Sequence, residues 1–306
     1  MTIIVTGAGG FVGRQIVARL LAAGHAVTAL DAVAAGIPAG ARVVTGDLGD
    51  PAVRADALVH GCTAVVHLAT VPGGAAEADP AASRRINVDA TYDLIMEAGA
   101  AGDRPRFLFA SSIAVFGDPL PPLVDDATPL APKMLYGGHK AMMEQAVALF
   151  SQRGLIEGVS LRLPGILARP TGPSGMKSAF MSELFHALKA GRGFTCPVSR
   201  GGTVWAQSVA RCADNFLVAL TLDTALLPPG RAVTLPALRL TMGDLATKIA
   251  RQCAVPGDLV AYAPDAALEA AFGAQPPLAT PAAERAGFAH DGDLATLVAS
   301  ALETLA

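Results

Sequence analysis

Charge is scarce in this chain. Of its 306 residues, 16% are charged, the formal net charge is −3, and no basic run occurs. A nucleic-acid or anionic-membrane partner needs a concentrated positive field, and this sequence supplies none. Aromatic residues are few, at 5%, with a single tryptophan, Trp205. The four cysteines, Cys62, Cys196, Cys212 and Cys253, are too scattered for a metal pair or a disulfide framework, which suits a reducing cytoplasm. No histidine pair has ligand spacing, so no metal is expected. No stretch of about 20 apolar residues exists, so no transmembrane helix is expected. Met1 to Val5 has no basic flank, and its apolar run breaks at once into glycines, unlike a signal peptide.

What remains is apolar and small. Hydrophobic residues make up 52% and glycine contributes 32 positions, enough for a large core with closely packed helices. Ile3-Ile4-Val5 reads as a strand, and Val12, Ile16, Leu20 and Leu21 then recur at helical spacing up to Gly24. Further strands are expected at 26–30, 42–45, 64–68, 107–110 and 158–163. Helices are expected up to Leu58, over 80–101 and from Tyr136 to Gln152. This alternation gives right-handed crossovers and an α/β fold with a doubly wound parallel sheet. After Pro164 the rhythm changes. A proline- and glycine-rich loop at 168–175 precedes helices at 178–189 and 207–221, a short extended piece at 194–198, short strands near Val233 and Val260, and helices at 242–252 and 294–305. The expected division is a nucleotide-binding domain over 1–163, with a return segment about 204–235, and a smaller α+β lobe from 164–203 and 236–306.

Thr6-Gly7-Ala8-Gly9-Gly10-Phe11-Val12-Gly13 lies between the first strand and the first helix. Gly7, Gly10 and Gly13 let the backbone turn tightly, so that a pyrophosphate could meet the free N–H groups and dipole of the helix start, beside Phe11 and Val12. Asp31 ends the second strand, where a carboxylate accepts from both ribose hydroxyls and repels a 2′-phosphate. NAD is therefore expected over NADP. After the next strand, Asp47 with Leu48 either reaches the adenine edge or merely starts a turn.

Tyr136 and Lys140, four residues apart, share one helix face. A tyrosine ionises near about 10 and acts as acid or base near neutrality only beside a positive charge, which Lys140 can provide. The strand before it ends in Ser111-Ser112. Ser112 is the expected partner of the tyrosine, with Ser111 as its rival.

Together these motifs resemble the extended short-chain dehydrogenase/reductase family, also called the NAD-dependent epimerase/dehydratase family, from Met1 to about residue 215. The match adds Gly46-Asp47-Leu48, His67-Leu68-Ala69, Asn87, Val115-Phe116-Gly117 and Arg162-Leu163-Pro164. The resemblance implies a Rossmann domain, a Ser112–Tyr136–Lys140 triad, a cofactor cleft lined by Leu68, Ala69 and Asn87, and Pro164 and Ile166 flanking the nicotinamide. It also suggests a homodimer through the 80–101 and 136–152 helices. Dehydratases of this family carry an Asp-Glu pair where Ile113-Ala114 stands here. Many nucleotide-sugar members carry an arginine where this chain has Gly201-Gly202-Thr203-Val204-Trp205-Ala206-Gln207, unless Arg200 substitutes. Residues 163–170, 173–180 and 196–198, with Trp205, are similar to the D-erythronate dehydrogenase branch.

The implied reaction is NAD-dependent oxidation of a secondary hydroxyl on a small sugar acid. The alternative is a nucleotide-sugar 4-epimerase, with the same triad and a retained cofactor. Candidate substrate residues, besides Ser112 and Tyr136, are Thr70, Ser174, Lys177, Ser178 and Trp205. Lys177 reads equally as a solvated helix residue, Ser178 as a helix start and Trp205 as core. Cys196 reads as an inert thiol, and His67 and His139 as hydrogen-bonded rather than metal-binding.

Overall fold

A computed structural model describes residues 1–171 and 177–305, with Lys177 described in its backbone alone. The strands in chain order are β1 (Thr2–Thr6), β2 (Ala26–Asp31), β3 (Arg42–Thr45), β4 (Ala64–His67), β5 (Arg106–Ser112), β6 (Glu157–Leu163), β7 (Gly165–Ile166), β8 (Phe194–Cys196), β9 (Thr203–Gln207), β10 (Ala232–Thr234), β11 (Leu238–Thr241) and β12 (Val260–Tyr262). The helices that position the site and the apolar clusters are α1 (Phe11–Ala22), α2 (Pro51–Leu58), α3 (Gly73–Ala78), α4 (Pro80–Arg84), α5 (Thr91–Ala101), α6 (Leu135–Gln152), α7 (Phe180–Lys189), α8 (Val209–Thr221) and α9 (Met242–Gln252).

Seven strands form one parallel sheet in the order β10-β6-β5-β4-β1-β2-β3. Its central strands are apolar along their whole length because helices cover both faces. One face packs Ile3, Val5, Val66, Leu108 and Leu161 under Ile16, Leu20 and Phe216 of α1 and α8. The other packs Ile4, Val65, Phe107 and Phe109 under α2, α5 and α6. Each such side chain, fully buried, contributes about 1.5–3 kcal/mol of transfer free energy. The strand order reverses between β1 and β4. Ligands of doubly wound sheets bind outside the carboxyl ends of strands at this switch point. The Gly7 loop and the His67–Ala69 segment both emerge there.

Three local features differ from the sequence expectation. The helix expected over 80–101 is interrupted: Asp79 caps α4, and Arg85–Ala90 forms a π-helical turn before α5. The wider turn lets Asn87 point inward, where it bonds to the chain after β4. The helix expected from Gln207 begins two residues later, because Ser208 is the N-cap, its Oγ accepting from the Arg211 N–H. Residues 203–207 form β9 instead. Its partners, β7 alongside and β11 antiparallel, lie far away in sequence, so no local pattern announces it. β12 pairs with β8, and a separate apolar cluster is formed by Leu184, Phe185, Leu188, Val204, Leu245 and Ile249.

Candidate active site

The candidate cofactor cleft is built from backbone. Gly7 has φ +68°, and a β-carbon there would sit 2.8 Å from the Ala69 nitrogen; one at Gly13 would collide with the Gly7 carbonyl. α1 starts with Gly10 as N-cap, which has no side chain to occupy the first-turn N–H groups. Phe11 and Val12 pack half-buried against the core behind them. Asp31, half-buried at the end of β2, accepts from the Gly9 N–H (2.9 Å) and the Val33 N–H (3.1 Å). A glycine cradle, an open helix start and a carboxylate one strand away fit a dinucleotide.

Asp47 and Leu48 are otherwise engaged. The Asp47 carboxylate accepts from the Gly49 N–H at 2.8 Å and from Arg85 at 2.6 Å, and the Arg85 hydrogen bond holds it below the usual carboxylate range. It takes the turn-starting role that its sequence position allowed. Leu48 is buried in the core beneath it. Asn87 is also buried: its amide donates to the Val71 carbonyl (2.9 Å), and its oxygen accepts from the Val71 N–H (2.7 Å) and the Thr70 hydroxyl (3.0 Å). It shapes the cleft by tethering the chain after β4, and it occupies the Thr70 hydroxyl in doing so. Leu68 and Ala69 donate their N–H groups to Thr6 Oγ1. His67 lies between Thr6 Oγ1 (2.7 Å) and Thr91 Oγ1 (2.9 Å). Thr91 donates onward to the Ile86 carbonyl, so it accepts from His67 Nε2–H. Burial, with Lys140 adding, pushes the His67 pKa down to about 3 and keeps it neutral.

The two serines at the end of β5 separate by strand alternation. Ser111 turns inward and donates to Glu144 Oε1; Arg162 also grips that carboxylate, its Nε donating to Oε1 and its Nη2 to Oε2. Ser112 faces the other way, its Oγ accepting from the Ala114 N–H (3.1 Å), beside the Tyr136 side chain. α6 comes this close because residue 137 is glycine: a β-carbon there would collide with the Ala114 carbonyl. Lys140 is 2% exposed. Its Nζ donates to the Ala110 carbonyl at 2.7 Å and lies 5.5 Å from the Tyr136 ring centre. Burial pushes the Lys140 pKa down to about 7 against the opposing charge of Glu144. His139, next along, is held by Ser83 at 3.1 Å.

Burial also pushes the Tyr136 phenol above its ordinary value. The cation that opposes this is Arg169, helped by the neighbouring Ser112 hydroxyl. The sequence pattern gives that part to Lys140 and does not single out Arg169. Arg169 is held firmly: its N–H donates to Ser182 Oγ (3.1 Å), its carbonyl accepts from His186 Nε2 (2.7 Å), and its Nε donates to the Ile166 carbonyl (3.1 Å). With Ser178, Ser182, Ile166 and Met181 it lines a small cavity of about 40 Å³.

The other expected substrate residues scatter. Ser178 sits in the turn before α7 and lines that cavity. Ser174 lies outside the described residues, and for Lys177 the backbone alone is described. Trp205 belongs to the core: it is 1% exposed among Val115, Phe116 and Val124, and its indole N–H donates to the Pro276 carbonyl at 2.7 Å. Arg200 is exposed, packed over Gly243 at the start of α9 and beside Tyr262. Pro164 and Ile166 are buried where β6 gives way to β7. Cys196 is buried, which pushes its thiol up and keeps it unreactive. No cluster of three or more metal-ligating side chains occurs among the described residues.

The model of the NAD dependent epimerase/dehydratase family matches residues 3–209. The chain belongs to this family. NAD is its cofactor, and it is an oxidoreductase acting on CH–OH groups. Within the family it is similar to the D-erythronate dehydrogenase branch. It is 35% identical to the D-erythronate dehydrogenase of Cupriavidus necator, over 99% of this chain and 98% of that protein. It is 29% identical to that of Haemophilus influenzae, over 80% of each. The crystal structure of a nucleoside-diphosphate-sugar epimerase from Agrobacterium tumefaciens superposes with a TM-score of 0.89 at 29% identity, covering 99% of this chain and 94% of that one.

In this member of the epimerase/dehydratase family the buried lysine has a measurable cost. Its folded pKa of about 7 lies below the ordinary 10.5, so across that window the unfolded chain binds the extra proton. Stability attributable to Lys140 therefore rises as pH rises from about 7 towards 10.5, and the full penalty applies below 7. In thermal melts without cofactor, the wild type should gain on Lys140→Met as pH increases through this window. Parallel Tm curves for the two proteins would contradict the burial argument.

Proposed function

We propose that this chain oxidises a secondary hydroxyl on a small sugar acid of the D-erythronate type, using Ser112, Tyr136 and Lys140. The observation that carries the reading is the meeting of Ser112, at the end of β5, with Tyr136, at the start of α6 and one turn before the buried Lys140. The full-length similarity to named D-erythronate dehydrogenases supports the substrate class. Gly7, Gly10, Gly13 and the start of α1 would hold the cofactor's pyrophosphate, and Asp31 its ribose. Leu68, Ala69, Pro164 and Ile166 would enclose the rest. Bound NAD supplies the hydride acceptor.

The protein's own part is proton chemistry. Tyr136 takes the proton of the substrate hydroxyl as the carbon is oxidised. Ser112 hydrogen-bonds the same oxygen and stabilises its developing charge. A phenol raised by burial is a strong base once ionised, and the nearby cations make that ionisation accessible. Lys140, poised near neutrality, can pass the proton on. The nucleotide-sugar 4-epimerase reading is less well supported, because a diphosphate needs a compensating cation and the 201–207 run has none. We assign cofactor binding to residues 1–163, with β10 returning to the sheet, and substrate closure to the second lobe. A cytoplasmic location accords with the free cysteines. Among the described residues, no helix is long and apolar enough to cross a membrane.

A homodimer is part of the proposal. On α6, Leu135, Met142 and Leu149 recur every seven residues and are all exposed, Met142 by 54% and Leu149 by 48%. Tyr92 and Met96 on α5 are exposed beside them, and the groove between the helices is lined by Phe150 and Leu155. Such an apolar stripe asks for a second helix pair.

Tyr136→Phe should lower turnover by about 10²–10⁴-fold with NAD affinity largely retained; unchanged turnover would refute the mechanism. Light scattering should return twice the 31.0 kDa chain mass, and Leu149→Glu should halve it. A wild-type mass of one chain would refute the dimer.

A further inference from the structure

One buried carboxylate ties together three segments that build the site. Ser111 of β5 and Arg162 of β6 are direct neighbours across the parallel sheet, so their side chains emerge on the same face, towards α6. Glu144 of α6 meets both. It accepts from the Ser111 hydroxyl at 2.5 Å, and from Arg162 Nε at 2.9 Å and Nη2 at 2.8 Å. Glu144 is 1% exposed, and the Arg162 guanidinium is covered in turn by the Phe116 ring, 5.4 Å from its centre. The chain beside each anchor carries a site residue: Ser112 follows Ser111, and Pro164 stands two residues after Arg162.

On α6, Tyr136, Lys140 and Glu144 are spaced four residues apart and share one face. Consecutive residues of β5 receive the last two. The Ala110 carbonyl accepts from Lys140 Nζ at 2.7 Å, and the Ser111 hydroxyl donates to Glu144. The helix is thus clamped to the sheet one turn beyond the lysine. Stability alone is a weak reason for such a pair, because apolar side chains of the same size often replace a buried ion pair without loss. Here the carboxylate also faces a buried ammonium, and its charge opposes the proton loss that burial favours. The ammonium meets Tyr136 from α6 itself, the neutral His67 from β4 and the Phe109 ring from β5. Arg162 of β6 faces Glu144, and Arg169 faces Tyr136.

We propose that Glu144 is a positioning residue for the proton transfer: held by Ser111 and Arg162, it fixes the middle of α6 against β5 and β6 and presents a fixed negative charge that keeps the Lys140 ammonium on the Ala110 carbonyl, one turn from Tyr136. Glu144 acts through Lys140. The proposal rests on the Ser112–Tyr136–Lys140 chemistry and deepens it.

The first arm of the test needs no substrate. Thermal melts of the cofactor-free protein measure the effect of Lys140→Met in two backgrounds, wild type and Glu144→Gln. At pH 6, below the Lys140 pKa of about 7, the lysine is charged. There Lys140→Met should be more favourable by at least about 3 °C in the Glu144→Gln background, which no longer offsets the buried ammonium. At pH 9 the lysine is neutral, and the two backgrounds should agree. If the background makes no difference, or the same difference at both pH values, the proposal is overturned. If Glu144→Gln leaves Arg162 unpaired and the chain unfolded, the background becomes Glu144→Gln with Arg162→Met, which removes both partners.

The second arm reads turnover at pH 7 and saturating NAD. Glu144→Gln should lower kcat by at least about 10-fold, with KM for the sugar acid and NAD affinity held within about threefold, and Glu144→Asp should recover most of the loss. Wild-type kcat in folded Glu144→Gln overturns the positioning role while the sugar-acid reading stands. A wild type that turns over a nucleotide sugar and no acid overturns the sugar-acid reading alone, and the same variants are then compared on that substrate.

Discussion

The site depends on one close approach. α6 begins against the turn that follows β5, and residue 137 can meet the Ala114 carbonyl there only as glycine. That contact sets Tyr136 against Ser112 and carries Lys140 below the surface, onto the Ala110 carbonyl. The proton chemistry proposed for the site depends on this contact. With α6 held further out, water would enter, the phenol and the ammonium would be solvated, and neither would have a shifted pKa to use.

Burial in turn imposes an electrostatic problem. Two cations, Lys140 and Arg169, and one phenol lie within reach of one another's charge, and desolvation opposes the charged form of all three. The surroundings answer with fixed dipoles and neutral neighbours. The Ala110 and Ile166 carbonyls receive the cations. His67, close enough to feel Lys140, stays uncharged between two threonines. Glu144 brings the negative charge nearest Lys140 and is itself held by Ser111 and Arg162. The stability lost in burying Lys140 gives a group that can exchange a proton near neutral pH.

The sheet and the glycine loop are legible in the sequence because their signals are local: apolar runs, helical spacing and a glycine spacing between them. The position of Tyr136 beside Lys140 is legible for the same reason. The choice between Ser111 and Ser112 is not, since it turns on strand register, and either residue ends the same strand. The π-helical turn at Asn87, the strand at 203–207 and the burial of Trp205 each depend on partners far away in sequence. Asp47 suits both an adenine contact and a turn by its place after a strand; its bond to Arg85, 38 residues on, has no local signal. Arg169 escapes a sequence reading because it has no spacing motif. Its place near Tyr136 is created by the break at Pro164 and by the packing of α7, neither of which periodicity reveals.

The central claim is net oxidation of a sugar acid with dissociable NAD. The most direct measurement is NADH absorbance when purified protein and free NAD are offered short aldonic and uronic acids, with nucleotide sugars run alongside. The account predicts NADH formed in step with acid consumed, and none with a nucleotide sugar. Interconversion of a nucleotide sugar without net NADH, and no response to any acid, would contradict it.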